Sequence, residues 1–251
     1  MKKKSIFIYG VHAVLEKLHA SGGDVEEVLI ARASKRPVLR VIEMEARRRG
    51  VRVDHVAPTQ LSRLAAGNPH QGVVARVVGF NYLNFDDLMH EMRTPVVGNE
   101  RILILDSLTD PRNFGALLRI AEAVGIRHVV IPKDRSVDVT PTVARASSGA
   151  VHYLKIYKIV NLRQVVLALK DLGFWTVGLD IRAGSSLYDS TYPNRLVVIL
   201  GSEGKGIRPL LLRECDLLVS IPMLGTVGSL NVAVAGAVFL YEILRQGSGR
   251  Q

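Results

Sequence analysis

Leu196–Ile207 reads LVVILGSEGKGI, an apolar β-type run that opens directly into a turn carrying three glycines. A buried strand ending in a glycine turn is how ligand sites in open α/β sheets begin, so the reading of this stretch decides the architecture. The glycines fall at 201, 204 and 206. That GxxGxG order is neither the GxxxxGK[ST] of a phosphate loop nor the GxGxxG of a dinucleotide fingerprint. Glu203 would also repel a pyrophosphate at close range. The turn therefore suits a neutral or cationic ligand, read by backbone amides and carbonyls.

The same strand-then-helix pattern recurs on both sides of it. RILILD, HVVIP, HYLKIYK, FWTVGLD and LLVSIP are short apolar runs, and NFGALLRIAEAVG and LRQVVLALKDLG have helical spacing between them. Strands this apolar, separated by helices, predict a parallel sheet covered on both faces, with ligands at the carboxyl ends of the strands.

Two further segments follow strands in this way. In DSLTDPRNFGALLR, Asp106–Arg119, the chain turns through Asp110-Pro111 and enters a helix at Asn113, a residue that can cap it. Gly115 would let that helix approach another segment closely. Arg119 stands between Leu118 and Ile120 and is expected to be buried, hence to meet an anion or a carboxylate. In Ile221–Arg245 a strand ends at Pro222, two glycines shape a loop, and Ser229 is the expected cap of a long helix. That helix is apolar nearly all round, which predicts burial on every side and a subunit contact. Asn231, polar in its first turn, is either a cap or a group at the ligand end of the sheet.

Composition bounds what the chain does. A formal charge of +10 points to a polyanionic partner, nucleic acid before membrane. The surplus is uneven: residues 1–80 hold 14 basic and 7 acidic residues, against 19 and 16 in the rest. This predicts two modules, residues 1–80 and 99–251, joined by a linker over 81–98 with a short helix in FDDLMHEM. In the first, VEEVLIA, VRVDHV and QGVVARV read as strands and PVLRVIEMEARRRG as a helix, a mixed α/β pattern. Lys35, Arg36, Arg40, Arg47, Arg48, Arg49 and Arg52 gather there as a candidate phosphate-contacting surface.

One cysteine, Cys215, excludes an internal disulfide and reads as a small residue near a strand. No histidine has metal-type spacing, so no metal is expected. His12 and Glu16 interrupt the only leader-like run, and Leu230–Leu244 contains Asn231 and Glu242 and is short for a bilayer. A cytoplasmic protein is expected.

Taken together, NFGALLR, LGSEGKGI and IPMLGTVGSLNVAVAGA resemble the three signature motifs of the SpoU, or TrmH-type, RNA ribose 2′-O-methyltransferases of the SPOUT class. The resemblance covers residues of about 100 to 245. YGVHAVLEKL and HQGVVARV resemble the RNA substrate-binding domain of the subgroup that methylates a guanosine in 23S rRNA. The resemblance implies S-adenosylmethionine as cofactor, whose sulfonium tolerates a nearby carboxylate. It also implies a parallel sheet with a C-terminal trefoil knot, although chains in general avoid knots and no periodicity shows one. It implies a homodimer and an RNA partner, rRNA first and tRNA as the alternative, with no DNA or membrane. By the same resemblance, Leu200, Gly201, Ile221, Met223, Ser229 and Leu230 hold the cofactor, with glycines allowing close approach to the adenosine. Asn113, Arg119, Glu203, Ser229 and Asn231 form the polar catalytic set. Guanidinium stays protonated in proteins, so Arg119 is read as a phosphate ligand and alkoxide stabiliser. The competing readings are an NAD-dependent Rossmann oxidoreductase, against which GxxGxG and Glu203 count, and an RNA-binding protein without turnover.

Overall fold

The computed structural model describes residues 5–20, 25–32, 34, 36–94, 98–226 and 228–248. The chain folds as two compact units, Met1–Asn81 and Tyr82–Gln251.

The first unit is a four-stranded sheet with helices on both faces. In chain order it contains β1 (Ser5–Tyr9), α1 (Val11–Ala20), β2 (Val25–Ala31), α2 (Pro37–Arg48), β3 (Arg52–Val56), α3 (Pro58–Leu64) and β4 (Val73–Val78). The strand order is β1-β4-β2-β3, with β2 and β3 parallel and the other neighbours antiparallel. Successive side chains of a strand face opposite ways, and β2 uses both. Val28 and Ile30 pack with Val14 and Leu18 of α1 and Leu39 and Ile42 of α2. Leu29 and Ala31 join Leu61 of α3 on the other face. The helix expected over PVLRVIEMEARRRG is α2, stopped where Gly50 takes φ +70. The sequence reading did not separate β1 or α3 as elements.

The second unit opens with α4 (Phe85–Arg93). It is the short helix expected in FDDLMHEM, and its Leu88, Met89 and Met92 belong to the unit's core rather than to a free linker. Its start is fixed by a reciprocal cap, Asp87 N donating to Asn84 Oδ1 at 3.0 Å and Asn84 N to Asp87 Oδ2 at 2.8 Å.

Seven strands follow: β5 (Glu100–Leu105), β6 (His128–Pro132), β7 (Lys155–Ile159), β8 (Trp175–Leu179), β9 (Ser185–Ser186), β10 (Arg195–Leu200) and β11 (Leu217–Ser220). Every pairing is parallel, in the order β7-β6-β5-β10-β8-β11-β9. Ile102, Leu103, Ile104 and Leu105 are all wholly buried, which is what a strand covered on both faces requires. One face packs against α4 and α7 (Leu162–Asp171). Over the other lie α5 (Pro111–Ala123) and α9 (Val232–Ser248), which touch each other; a Cβ on Gly236 of α9 would stand 2.4 Å from Leu117 and 2.9 Å from Leu200. The chain leaves β8 for the edge strand β9 and then returns inside it, placing β10 between β5 and β8. The opening stretch is thus the central strand and its exit loop.

The last helix leaves one apolar stripe uncovered in the single chain. It is not buried all round in the chain: Val234 and Tyr241 are half exposed along one apolar stripe, while Glu242 is buried and paired with Arg245 at 2.7 Å.

Candidate active site

Three loops meet at the carboxyl ends of the central strands, those leaving β5, β10 and β11. The β5 exit is anchored by Asp106, which is fully buried. Its carboxylate accepts from the backbone N of Arg208 at 2.9 Å, from Arg208 Nε at 2.7 Å and from Ser107 Oγ at 3.0 Å. A buried carboxylate is costly unless it is hydrogen-bonded and paired, and here it is both. The result ties the first loop to the end of the second. Sequence reasoning missed this pair, because nothing in the spacing of 106 and 208 links them.

The glycine turn holds itself. Ser202 N donates to Gly206 O at 3.1 Å and Gly206 N to Ser202 O at 2.9 Å, closing the loop on its own backbone. A Cβ on Gly201 would stand 2.0 Å from the carbonyl carbon of Gly206, so no other residue fits. Gly206 itself takes φ +66, which glycine alone adopts without strain. The room its missing side chain leaves is taken by the Gly206–Ile207 peptide. Glu203, at the tip, is exposed.

At the start of α5 the cap is Asp110, whose Oδ1 accepts from Arg112 N at 2.7 Å, and the helix begins at Pro111. Asn113 is therefore inside the helix, not its cap, and its amide is released for other work. Gly115 behaves as the sequence predicts: a Cβ there would lie 2.5 Å from the Cβ of Ala146 on α6 (Pro141–Ala146).

At the start of α9 the cap is Asn231, not Ser229. Its Oδ1 accepts from Ala233 N at 2.9 Å and Val234 N at 3.3 Å. Because that oxygen is committed to two backbone donors, Nδ2 must be the atom facing Asn113, and it donates to Asn113 Oδ1 at 3.1 Å. Asn113 Oδ1 is then an acceptor, so its Nδ2 donates to Glu203 Oε1. Every amide orientation in the chain Asn231–Asn113–Glu203 follows from the one before. The three loops are joined through side chains 90 and 118 residues apart in sequence. Both sequence readings of Asn231 hold at once, since the same side chain caps α9 and faces the junction.

Arg119 is a correction. It is exposed, on the α5 stripe shared with Arg112, and among the described residues no carboxylate meets it. The neighbouring Leu118 is buried because it lies a third of a turn away.

The loop leaving β11 is open. Among the described residues from Pro222 to Leu230, no backbone group makes a hydrogen bond within the chain. Met223 and Leu230 are 37% and 39% exposed, and Ser229 is also at the surface. Leu200 and Gly201 are buried at the end of β10, and Ile221 is half buried. Free peptide groups here lie beside uncovered apolar side chains.

Residues 100–241 match the family model described as the SpoU rRNA Methylase family. Residues 7–83 match that for RNA 2'-O ribose methyltransferase substrate binding. The 23S rRNA (guanosine-2'-O-)-methyltransferase RlmB of Xylella fastidiosa is 39% identical over 98% of both chains. Among solved structures, the SpoU methyltransferase AviRb of Streptomyces viridochromogenes in complex with AdoMet superposes with a TM-score of 0.62 at 25% identity, covering 98% of this chain and 91% of that one. The TrmH/SpoU tRNA modifying enzyme of A. aeolicus has a TM-score of 0.55 at 26% identity, covering 66% of this chain and 85% of its own.

Proposed function

The chain belongs to the SpoU rRNA methylase family of RNA methyltransferases, and from that premise we propose that it uses S-adenosylmethionine to methylate the 2′-hydroxyl of a guanosine ribose in 23S rRNA. The observation that carries this reading is the polar chain Asn231–Asn113–Glu203 at the meeting of three strand-end loops, beside an uncovered backbone.

The residues present fit the cofactor. Free peptide groups and the exposed Met223 and Leu230 suit an adenosine, and Leu200, Gly201, Ile221 and Ser229 would complete its seat. Glu203 is compatible with a sulfonium and opposes a phosphate, which disfavours NAD. When bound, S-adenosylmethionine supplies an electrophilic methyl group.

The chain's own residues have two tasks, to align a ribose hydroxyl and to manage its proton. Asn113, locked by Asn231, presents its amide toward Glu203 and keeps that carboxylate in place. Of Asn113, Arg119, Glu203, Ser229 and Asn231, only Glu203 is a base, so it is the group that takes the hydroxyl proton. Arg119 remains a cation, free of any internal carboxylate, and stabilises the developing alkoxide. Ser229 lines the open loop.

One contrast favours rRNA over tRNA. The RlmB relative matches end to end, whereas the tRNA-modifying neighbour covers a share close to that of the second unit alone. We assign the first unit to substrate binding on the same ground. The reading extends to a homodimer, with the apolar stripe of Val234 and Tyr241 on α9 as the covered face. Incubation with methyl-labelled cofactor and separate rRNA and tRNA pools tests the proposal: label should enter 23S rRNA and map to a single ribose. Label confined to tRNA, or to no RNA, would overturn it.

A further inference from the structure

We propose that the second unit carries its own track for the RNA backbone, made by Arg112 and Arg119 of α5 with Arg145 of α6, beside the Asn113 junction. The proposal rests on the RNA-methyltransferase reading and goes beyond it, because the substrate-binding match ends at residue 83 and gives this surface no role.

The geometry starts from Gly115. A Cβ there would lie 2.5 Å from Ala146 Cβ and 2.9 Å from Val143 O, so α5 and α6 cross in backbone contact. Residues 112, 115 and 119 are spaced by three and four, one face of a helix, so Arg112 and Arg119 flank the crossing. Arg145 is next to Ala146, at the crossing itself. All three arginines are exposed, and among the described residues none has a carboxylate within ion-pair distance. Lys133 and Arg135, on the loop after β6, are exposed and carboxylate-free as well.

Several other exposed cations are paired, which these are not. Arg47 meets Glu43 at 2.6 Å, Arg163 meets Glu214 at 2.7 Å and Arg182 meets Asp180 at 2.7 Å. Like charges gathered without counter-ions repel, and the arrangement is favourable when an anion completes it. Guanidinium is suited to phosphate oxygens, which it meets with two parallel donors. Arg112 is the immediate neighbour of Asn113, so a strand lying on this track has its ribose at the junction and its flanking phosphates on the arginines. The occupant is single-stranded RNA either side of the target nucleotide.

The test measures binding of the full chain to a short fluorescein-labelled single-stranded RNA across a salt series. Each phosphate contact in single strands contributes about 0.7 to the slope of log K against log salt. Arg112→Gln and Arg145→Gln should each lower the slope by about that amount, and the double variant by about twice it. Arg112→Lys should keep the slope and weaken binding. Arg47→Gln, on the paired helix, should leave the slope as in the parent. Slopes unchanged in the Arg112 and Arg145 variants, or lowered only by Arg47→Gln, would overturn the proposal. Binding of S-adenosylhomocysteine by each variant shows that the site is intact. Its absence in the parent chain would instead break the cofactor reading.

Discussion

On α2, Arg47 is bonded to Glu43 at 2.6 Å, while Arg48 and Arg49 share Glu45 at 2.8 and 2.5 Å. On α5, Arg112 and Arg119 are also exposed on an amphipathic helix and have no such partners. Charge counts favour the first unit as the basic one, yet every arginine of its densest run is paired with a glutamate. Arg52 follows the same rule, meeting Asp54 at 2.7 Å, and Lys35 lies outside the described residues. Among the described residues of the first unit Arg32, Arg36, Arg40 and Arg63 have no carboxylate partner, the first two being bonded to the backbone carbonyls of His55 and Gln71, and they remain as candidates for substrate contact. A surplus of charge locates a polyanion site less well than the absence of counter-charge does.

The contrast can be broken first at the glycine turn. Gly201→Ala places a methyl group 2.0 Å from a backbone carbon that cannot move away without opening the loop. Cofactor binding should be lost entirely in calorimetry, with the first unit's fold untouched. An alanine variant that binds normally would show that the turn is not part of the seat. The next effect is catalytic. Arg119→Lys should lower turnover by about 10²-fold or more while S-adenosylhomocysteine binding stays as in the parent, because a point charge does not replace a fork of donors. Near-normal turnover would leave Arg119 with no role in the alkoxide.

A smaller effect separates capping from chemistry. Asn231→Ala removes the cap of α9 and should cost about 1 kcal/mol of stability. Asn231→Asp keeps the cap acceptor and loses the donor to Asn113, so stability should recover and turnover should not. Equal recovery of both would reduce Asn231 to a cap. The smallest effect sharpens the comparison itself. Hydrogen bonds from Arg48 and Arg49 hold the Glu45 carboxyl at about 2, below its ordinary 4.5. A group lowered on folding stabilises the fold above its unfolded value and loses that contribution as pH falls through the folded one, so the pairing persists throughout the neutral range. Glu45→Gln should free two guanidinium groups, raise the salt slope of RNA binding slightly and leave the unfolding midpoint almost unchanged. No change in slope would mean that α2 faces away from RNA even when its charges are released.

Much of the second unit was legible. Period-free apolar runs gave the parallel strands, and post-strand position gave the three loops. What the residues could not show was which polar group serves which helix end. Asp110-Pro111 and Asn113 both permit a cap, as do Ser229 and Asn231, and the choice falls on whichever side chain the loop geometry leaves free. Arg119 misled because two apolar neighbours do not bury a residue when a helix turns 100° per step. The clamp of Arg208 on Asp106 depends on a partner distant in sequence, which local pattern does not carry.

The central proposal is that the loops leaving β5, β10 and β11 seat the cofactor, and calorimetry on the full chain addresses it directly. S-adenosylhomocysteine should bind with measurable heat and NAD should give none, with the first signal abolished by Gly201→Ala. Binding of NAD in place of S-adenosylhomocysteine would contradict it.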